Sequence, residues 1–142
     1  MGEEATFSVI QAKRDGLDAV IIIDTALRPD LLGQSFPWLL IITLPILRPN
    51  SSGLCDQAES DRLSDIEDQL LDSLDPNHYR YMGRMTWNKE RDVFIYVDDP
   101  DNALEGIQSQ LREIDPQNIS ITIESRYEPN WDTYRQFTVQ SS

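Results

Sequence analysis

MGRMTWNKERDVFIYVDDPDNALEGIQSQLREID, residues 82–115, combines the pattern of a β-hairpin with that of an amphipathic helix. From Tyr79 to Trp87 the side chains alternate between two faces, with Tyr81, Met85 and Trp87 on one and Arg80, Met82 and Arg84 on the other. From Asp92 to Val97 both faces of the run are apolar, and NKE is the turn between the two runs, which is typical of two paired strands. Asp99 is a suitable N-cap, and the apolar residues after it recur at helical spacing, which predicts a helix over residues 100–114. The stretch therefore predicts an antiparallel hairpin followed by an amphipathic helix.

The flanking sequence predicts further elements by the same two periodicities. Asp15-Gly16 supplies the residues of a tight turn between two β-branched runs, which predicts a hairpin near the N-terminus. Ser64, with Glu67 three residues later, matches a capping box near the start of a second helix. The additional elements are strands Thr6 to Ala12, Leu17 to Thr25, Trp38 to Leu44 and Ile119 to Glu124, and a helix from Asp61 to Leu74.

The order of these elements, β-β-β-α-β-β-α-β, predicts the fold class. It is α+β, and its last six elements have the order of a ferredoxin-like antiparallel sheet with two helices on one face. The N-terminal β-hairpin precedes this unit. We expect a single domain over residues 1–142, in which residues 1–36 form the hairpin and a loop, 37–125 the ferredoxin-like unit and 126–142 a C-terminal extension.

Length and composition indicate a globular protein in a reducing compartment. The chain has 142 residues, of which 39% are hydrophobic, which suits one domain with its own core. Cys55 is the only cysteine, so no disulfide can form within the chain. The longest apolar run, Pro37 to Leu47, has 11 residues, whereas a membrane-spanning helix needs roughly 20. Because the N-terminus also lacks a secretory pattern, we expect a cytoplasmic protein that does not enter a membrane.

Most of the net charge of −13 lies in the two predicted helical segments. Residues 56–75 contain eight acids and one arginine, a net charge of −7, and residues 98–115 contain six acids and one arginine, a net charge of −5. Charged helix exteriors are ordinary solvated surfaces, but these normally mix both signs, and a field of one sign destabilises the folded chain by self-repulsion. The imbalance favours a basic protein partner. It argues against direct binding of nucleic acid, whose phosphates need Lys and Arg.

Residues that carry common catalytic or metal chemistry are scarce. His78 is the only histidine, which excludes a metal site with two imidazoles. A Cys55–His78 dyad needs an activated thiol, and the sequence predicts no helix N-terminus directly after Cys55. DDPDNALEG places Asp99, Asp101 and Glu105 as in a calcium loop, but it lacks the glycine at the sixth position and the glutamate at the twelfth. The sequence therefore predicts a protein that is not an enzyme and has no cofactor and no metal.

Aromatic residues mark the other side of the second hairpin. Phe94 and Tyr96 point away from the side that the two helices cover, with Trp87 and Tyr81 nearby depending on register. Such residues form core beneath the N-terminal hairpin or the C-terminal tail, or else an exposed interaction or dimer patch. The sequence leaves both interpretations open.

Three stretches of the chain resemble a known family. They are YMGRMTWNKERDVFIYVDD, above all Gly83-Arg84, Arg91-Asp92 and Phe94 to Tyr96, then ALEGIQSQL, and finally EPNWDTYRQF. The pattern resembles the bacterial domain-of-unknown-function family 695 over most of the chain, less closely before residue 79. The aromatic-Leu-aromatic-Pro end of that family is replaced here by FTVQ, residues 137–140. Some members resemble proteins joined to a domain similar to an acidic ribonuclease inhibitor, and small acidic bacterial domains of this kind look like immunity proteins.

The charge pattern and the resemblance favour a non-enzymatic, acidic protein-binding domain. We expect it to inhibit a toxin or a nucleic-acid-processing enzyme by engaging a basic surface, as an immunity protein does. The alternative is a cytoplasmic regulatory or scaffold domain that self-associates, as a homodimer, through its sheet face. An enzyme built on Cys55, His78, Tyr81 and Arg84 has no spacing to support it. The predicted contact residues are Asp65, Asp68, Asp72, Asp101 and Glu105, with Trp87 and Tyr96 as aromatic anchors.

Overall fold

The computed structural model of the chain describes residues 5–114 and 121–141, with side chains described as far as residue 138. In these ranges six strands form one antiparallel sheet, and four α-helices and a single 3-10 turn at Pro76–His78 accompany it. The α+β class is confirmed. The strands are β1 (Phe7–Arg14), β2 (Leu17–Asp24), β3 (Trp38–Pro45), β4 (Tyr79–Trp87), β5 (Glu90–Val97) and β6 (Thr122–Tyr127). The helices are α1 (Pro29–Leu32), α2 (Gln57–Asp72), α3 (Pro100–Ile114) and α4 (Asp132–Ser141).

The sheet has the strand order β1-β2-β4-β5-β3-β6, and all neighbours in it are antiparallel. Both predicted hairpins are confirmed. Asp15 and Gly16 have positive φ angles of 51° and 81°, and Asn88 and Lys89 have 50° and 68°, as tight hairpin turns require. Since β2 pairs with β4, the N-terminal hairpin extends the same sheet. The sheet is therefore larger than the four-stranded ferredoxin-like sheet that the sequence predicts.

Helices α2 and α3 both pack on one face of the sheet, as predicted. The alternation of β3 and β5 directs every second apolar side chain to this face, where Leu63 and Leu70 of α2 meet Ile107 of α3. All three side chains are almost completely buried, and burial of each stabilises the fold by about 2 kcal/mol. The strand residues of this core are Leu40, Ile42, Leu44, Val93, Ile95 and Val97.

Helix α4 covers the opposite face of the sheet, where the sequence predicts only an extension. Trp131, just before α4, and Tyr134 within it pack on Phe94 and Tyr96. Tyr96 is 0% exposed beneath the Trp131 ring, so the prediction of Tyr96 as a surface anchor is wrong. Of the two interpretations of the aromatic face, core beneath the C-terminal segment is the one observed.

Two element boundaries differ from prediction. Helix α2 begins at Gln57, four residues earlier than predicted, because Asp56 is its N-cap and accepts a hydrogen bond from the Glu59 backbone N–H at 2.9 Å. Ser64 lies in the middle of the helix, so the predicted capping box is wrong. Strand β6 starts at Thr122, and the predicted start of this strand, Ile119, lies outside the described residues.

Candidate functional site

Exposed carboxylates form one continuous stripe on α2 and a second group on α3. Asp65, Asp68 and Asp72 follow one another at spacings of three and four, and Asp101 and Glu105 are four apart, so each set lies on one side of its helix. All five side chains are exposed, and none forms an ion pair within the described residues. Like charges four residues apart destabilise a helix by about 0.3 kcal/mol per pair. These five residues form the acidic helical surface.

Two other acids of α2 point inward and serve the fold. Glu59 accepts hydrogen bonds from the backbone N–H groups of Leu47 at 2.7 Å and Arg48 at 2.9 Å and from the Arg62 side chain. The hydrogen bond from Arg62 is the main cause that lowers the pKa of Glu59. Glu67 is buried as well. The net charge of −7 over residues 56–75 therefore overstates the negative charge on the outer surface of α2, because Glu59 and Glu67 are hydrogen-bonded inside the fold.

A pocket of about 340 Å³ opens between the end of α2 and the start of α3. Its walls combine apolar and acidic side chains, among them Leu74, Tyr79, Asp75 and Glu105. The α2 end also contributes the negative pole of its helix dipole. Asp99 also lines the pocket, but its side chain is the N-cap of α3. It accepts hydrogen bonds from the backbone N–H groups of Asp101 at 3.1 Å and Asn102 at 3.2 Å. The pocket thus suits a cationic side chain with an aliphatic stem.

His78 lies at the rim of this pocket as part of an ion pair. Its Nδ1 is 2.5 Å from Oδ2 of Asp98, and its Nε2 is 3.9 Å from Oδ2 of Asp75. The hydrogen bond to Asp98, followed by the Coulomb attraction of the same carboxylate, raises the pKa of His78 above its usual 6.5. The histidine therefore adds positive charge to an acidic pocket at low pH and leaves it negative at high pH.

Replacing Asp98 with Asn is expected to lower the pKa of His78 towards 6.5, because both main causes of the shift are removed. Since the folded pKa is raised, the ion pair stabilises the fold below the unfolded pKa, and this contribution disappears as the pH rises through the folded pKa. Titration of the imidazole resonances by NMR measures the change. Asp61→Asn, an exposed change on α2 away from the pocket residues, is the control, and an equal pKa in both variants contradicts the assignment.

The structure separates the predicted aromatic anchors from the acidic helical surface. Trp87 is half-buried and packs on the sheet face that α4 covers. The Arg14 guanidinium lies 4.6 Å from the ring centroid of Trp87, and the indole N–H donates to the Arg14 carbonyl at 2.9 Å. Both contacts connect β1 of the first hairpin to β4 of the second. The predicted set therefore divides into five exposed acids on the helices and two aromatic residues on the far side of the sheet.

Sequence reasoning missed a polar cluster buried between α2 and the sheet. Arg91, 3% exposed, donates to Thr86 Oγ1 at 3.2 Å and to Ser60 Oγ at 3.1 Å. Arg84 donates to Glu67 at 3.3 Å, and burial lowers the pKa of Arg91 and raises that of Glu67. In the described part of the chain no buried side-chain N or O atom lacks a hydrogen-bond partner, so the polar atoms of this cluster are satisfied within the fold.

A Cys55–His78 dyad is not formed. Helix α2 begins two residues after Cys55, contrary to the predicted absence of a helix N-terminus there, but the polar neighbour of its sulfur is Arg91 Nη2 at 3.8 Å. His78 instead contacts Asp98. Among the described residues there is no group of three or more ligands that could hold a metal ion, and no helix long and apolar enough to cross a membrane.

These features define an α+β domain with a six-stranded antiparallel sheet, two acidic helices on one face and a third long helix on the other. The profile of the Family of unknown function (DUF695) matches residues 7–138, and the chain belongs to this family. The resemblance deduced from the second hairpin, the helix after it and the C-terminal stretch is thus confirmed. None of the curated proteins is a significant match to the chain.

Proposed function

We propose that the protein is a non-enzymatic binding protein whose acidic helical surface engages a basic surface of another protein. The partner is a toxin or a nucleic-acid-processing enzyme, and binding inhibits it, with the cytoplasm as the setting. The observation that carries this proposal is the set of five exposed carboxylates without ion pairs in the described residues, on two helices that share a sheet face.

Electrostatics explains why such a surface suits an inhibitor. Enzymes that process nucleic acids expose positive clefts to bind phosphates, and a protein of net charge −13 is steered towards such clefts at long range. Attraction between exposed charges acts over roughly 10 Å at 0.1 M salt. The same field repels nucleic acid itself, so the domain competes for the cleft without binding the substrate.

The pocket between α2 and α3 adds a specific contact to this general attraction. We infer that it receives one Lys or Arg side chain of the partner, whose stem packs on Leu74 and Tyr79. The charged end then lies among Asp75, Asp98 and Glu105. A single inserted basic residue fixes the orientation of the partner, which surface charge alone does not do.

Self-association through the sheet face has less support than partner binding. The aromatic residues that would form such an interface lie beneath Trp131 and α4, and Tyr96 is stacked on Trp131 with ring centroids 4.0 Å apart. A dimer through this face would require α4 to leave the sheet and expose the core. The burial of this face therefore favours the acidic helical surface as the binding site.

We also propose that residues 37–125 form a ferredoxin-like unit within the larger sheet. The order β4-β5-β3-β6, with α2 and α3 on one face, supports this assignment. The hairpin β1-β2 then extends the unit at the β4 edge, and α4 covers the face that a two-layer unit leaves open.

Neutralising the acidic helical surface tests the proposed function. The tagged domain is used at low salt to capture proteins from the lysate of its host, and they are identified by mass spectrometry. We expect the variant to bind the captured partner about tenfold more weakly than the wild type, since five charge contacts of about 0.3 kcal/mol each, roughly 1.5 kcal/mol together, are lost. The variant carries Asp65→Asn, Asp68→Asn, Asp72→Asn, Asp101→Asn and Glu105→Gln.

A matched control removes five negative charges outside the acidic helical surface and should bind the partner as the wild type does. The purified partner should be a basic enzyme whose activity falls at an equimolar ratio of the domain, and the affinity should weaken steeply with salt. Equal retention by control and variant contradicts the assigned surface, and full activity of the partner in the complex contradicts inhibition. The control carries Asp15→Asn, Asp18→Asn, Asp30→Asn, Asp132→Asn and Glu124→Gln.

A further inference from the structure

A second, larger cavity of about 630 Å³ lies where β2 ends and β4 begins. The start of β1, the chain leading into α1 and the beginning of β4 enclose it, and it shares no lining residue with the acidic pocket between α2 and α3. Its volume is within the range of about 300 to 1,000 Å³ that is typical of small-molecule sites. The cavity is therefore large enough for an organic ligand, and what it binds does not depend on the proposed function.

The lining of this cavity is mainly apolar and unusually exposed. Phe7 is 52% exposed and Leu31 is 65% exposed, although both are large hydrophobic side chains at the cavity wall. The Phe7 ring meets the Tyr81 ring edge to face, with centroids 6.1 Å apart, and Leu27 and Leu32 complete the wall. Apolar side chains around a concave surface are typical of ligand sites, because a ligand removes them from water.

Two arginines, Arg28 and Arg80, also line this cavity, in a chain with 25 acids and 12 basic residues. Neither guanidinium forms an ion pair within the described residues. The Arg80 group lies 4.5 Å from the centroid of the Phe36 ring, and its Nη1 donates to the carbonyls of Tyr79 at 2.8 Å and Pro76 at 3.3 Å. A guanidinium has five N–H donors, and Nη2 and Nε of Arg80 form no hydrogen bond within the described residues.

The one acid in the cavity wall is engaged by the fold. Oδ1 of Asp24 accepts the backbone N–H groups of Thr6 and Ala26, both at 3.0 Å, and the side chain is 6% exposed. With two arginines and one acid, the wall has a net positive charge, whereas the chain as a whole is strongly negative. A polyanion would be repelled by the rest of the surface, but a ligand with a single negative charge would be repelled least.

We propose that this cavity binds a medium-chain fatty acid. Its carboxylate lies between Arg28 and Arg80, which provide charge-assisted hydrogen bonds, and its alkyl chain covers Phe7, Leu31 and Tyr81. This ligand class combines one negative charge with a flexible apolar chain, which matches the two arginines and the apolar wall. The cavity is thus a small-molecule site separate from the acidic pocket that the partner's basic residue enters.

Binding of three probes with the same chain length to the 142-residue chain tests this site. Octanoate, octanol and octylammonium are titrated below their aggregation limits, and backbone amide shifts are followed by NMR. We expect octanoate to shift the amides around Phe7, Leu31 and Arg80 saturably, and octanol to bind there about tenfold more weakly because it lacks the charge. Octylammonium should not shift these amides. Equal binding of octanol and octanoate overturns the proposal.

Two variants assign the binding to the residues of the wall. Arg28→Gln is expected to weaken octanoate binding about tenfold, and Leu31→Asp to abolish it, since a carboxylate then stands in the apolar wall. Both residues are exposed, so the melting temperature should stay near that of the wild type. Arg48→Gln, the same change at an exposed loop position, is the control. Wild-type affinity in Arg28→Gln, or tighter binding of an apolar tetrapeptide with a free C-terminus than of octanoate, overturns the proposal.

Discussion

Replacement of Trp131 with alanine is expected to lower the free energy of unfolding by about 4 kcal/mol, which is typical for truncation of a buried Trp to Ala. The side chain is 0% exposed and stacks on Tyr96 with ring centroids 4.0 Å apart and an interplanar angle of 7°. Its indole N–H donates to the Phe36 carbonyl at 2.8 Å. The substitution therefore removes a stacked ring, leaves a buried carbonyl without its donor and weakens the attachment of α4. Urea denaturation followed by circular dichroism measures the loss.

A glycine at the same position distinguishes the backbone contribution from the side-chain contribution. Trp131 has a φ of 54°, in the left-handed region, which costs a non-glycine residue about 1 kcal/mol. Glycine adopts this conformation freely, so Trp131→Gly should be more stable than Trp131→Ala by about 1 kcal/mol, the reverse of the usual order. A loss below 2 kcal/mol in Trp131→Ala, or the usual order of the two variants, contradicts this account.

The sequence was sufficient to predict the local elements that carry strong turn and capping signals. Asp15-Gly16 indicated the first hairpin, and the bounds predicted for the helix over residues 100–114 are those of α3. These signals are local, since a turn residue or an N-cap acts within a few positions. Helix α2 starts earlier than predicted because its first turn, which follows the Asp56 N-cap, is polar and offers no apolar periodicity to detect.

The C-terminal helix α4, which depends on long-range packing, was not predicted. Helix α4 has a short apolar pattern, with Trp131, Tyr134 and Phe137 three residues apart, and only the sheet face beneath it explains that pattern. The spacing was a usable signal, although three residues are too few to establish a helix without a partner surface. The exposure of Tyr96 depended on whether this C-terminal segment covers the strand, so strand periodicity alone left the choice open.

The candidate site was predictable where it is exposed and unpredictable where it is buried. Charges on helix exteriors follow from amphipathicity, so the exposure of the acidic helical surface was foreseeable. The inward direction of Glu67 was not, because its partner Arg84 lies on a strand 17 residues away. The burial of Arg91 could have been predicted from the alternation of side chains along β5. Arg91 lies on the same side of the strand as Val93 and Ile95, which face the helices and are buried there.

Replacement of Gly83 with alanine is expected to destabilise the fold by about 3 kcal/mol, because no side chain fits at this position. Gly83 has a φ of 156° and lies at a register shift in the pairing of β4 with β5. A Cβ here would overlap the carbonyl oxygen of Ile22 and lie 2.9 Å from the Cα of Ile23, both on β2. Backbone atoms cannot rotate away as a flexible side chain can, so β2 must separate from β4.

Gly16→Ala is the matched control for Gly83→Ala, since Gly16 has a φ of 81° but a methyl group there would meet no atom within 4 Å beyond its chain neighbours. It tests the conformational cost alone, about 1 kcal/mol. Urea denaturation gives both losses, and amide hydrogen exchange shows where the structure opens. In Gly83→Ala we expect faster exchange across β1 and β2, because the hairpin loses its pairing with β4, while the amides of β3 and β5 stay protected. Equal losses in the two variants would show that β2 can accommodate a methyl group, and that the close approach of the two strands is not what requires glycine at this position.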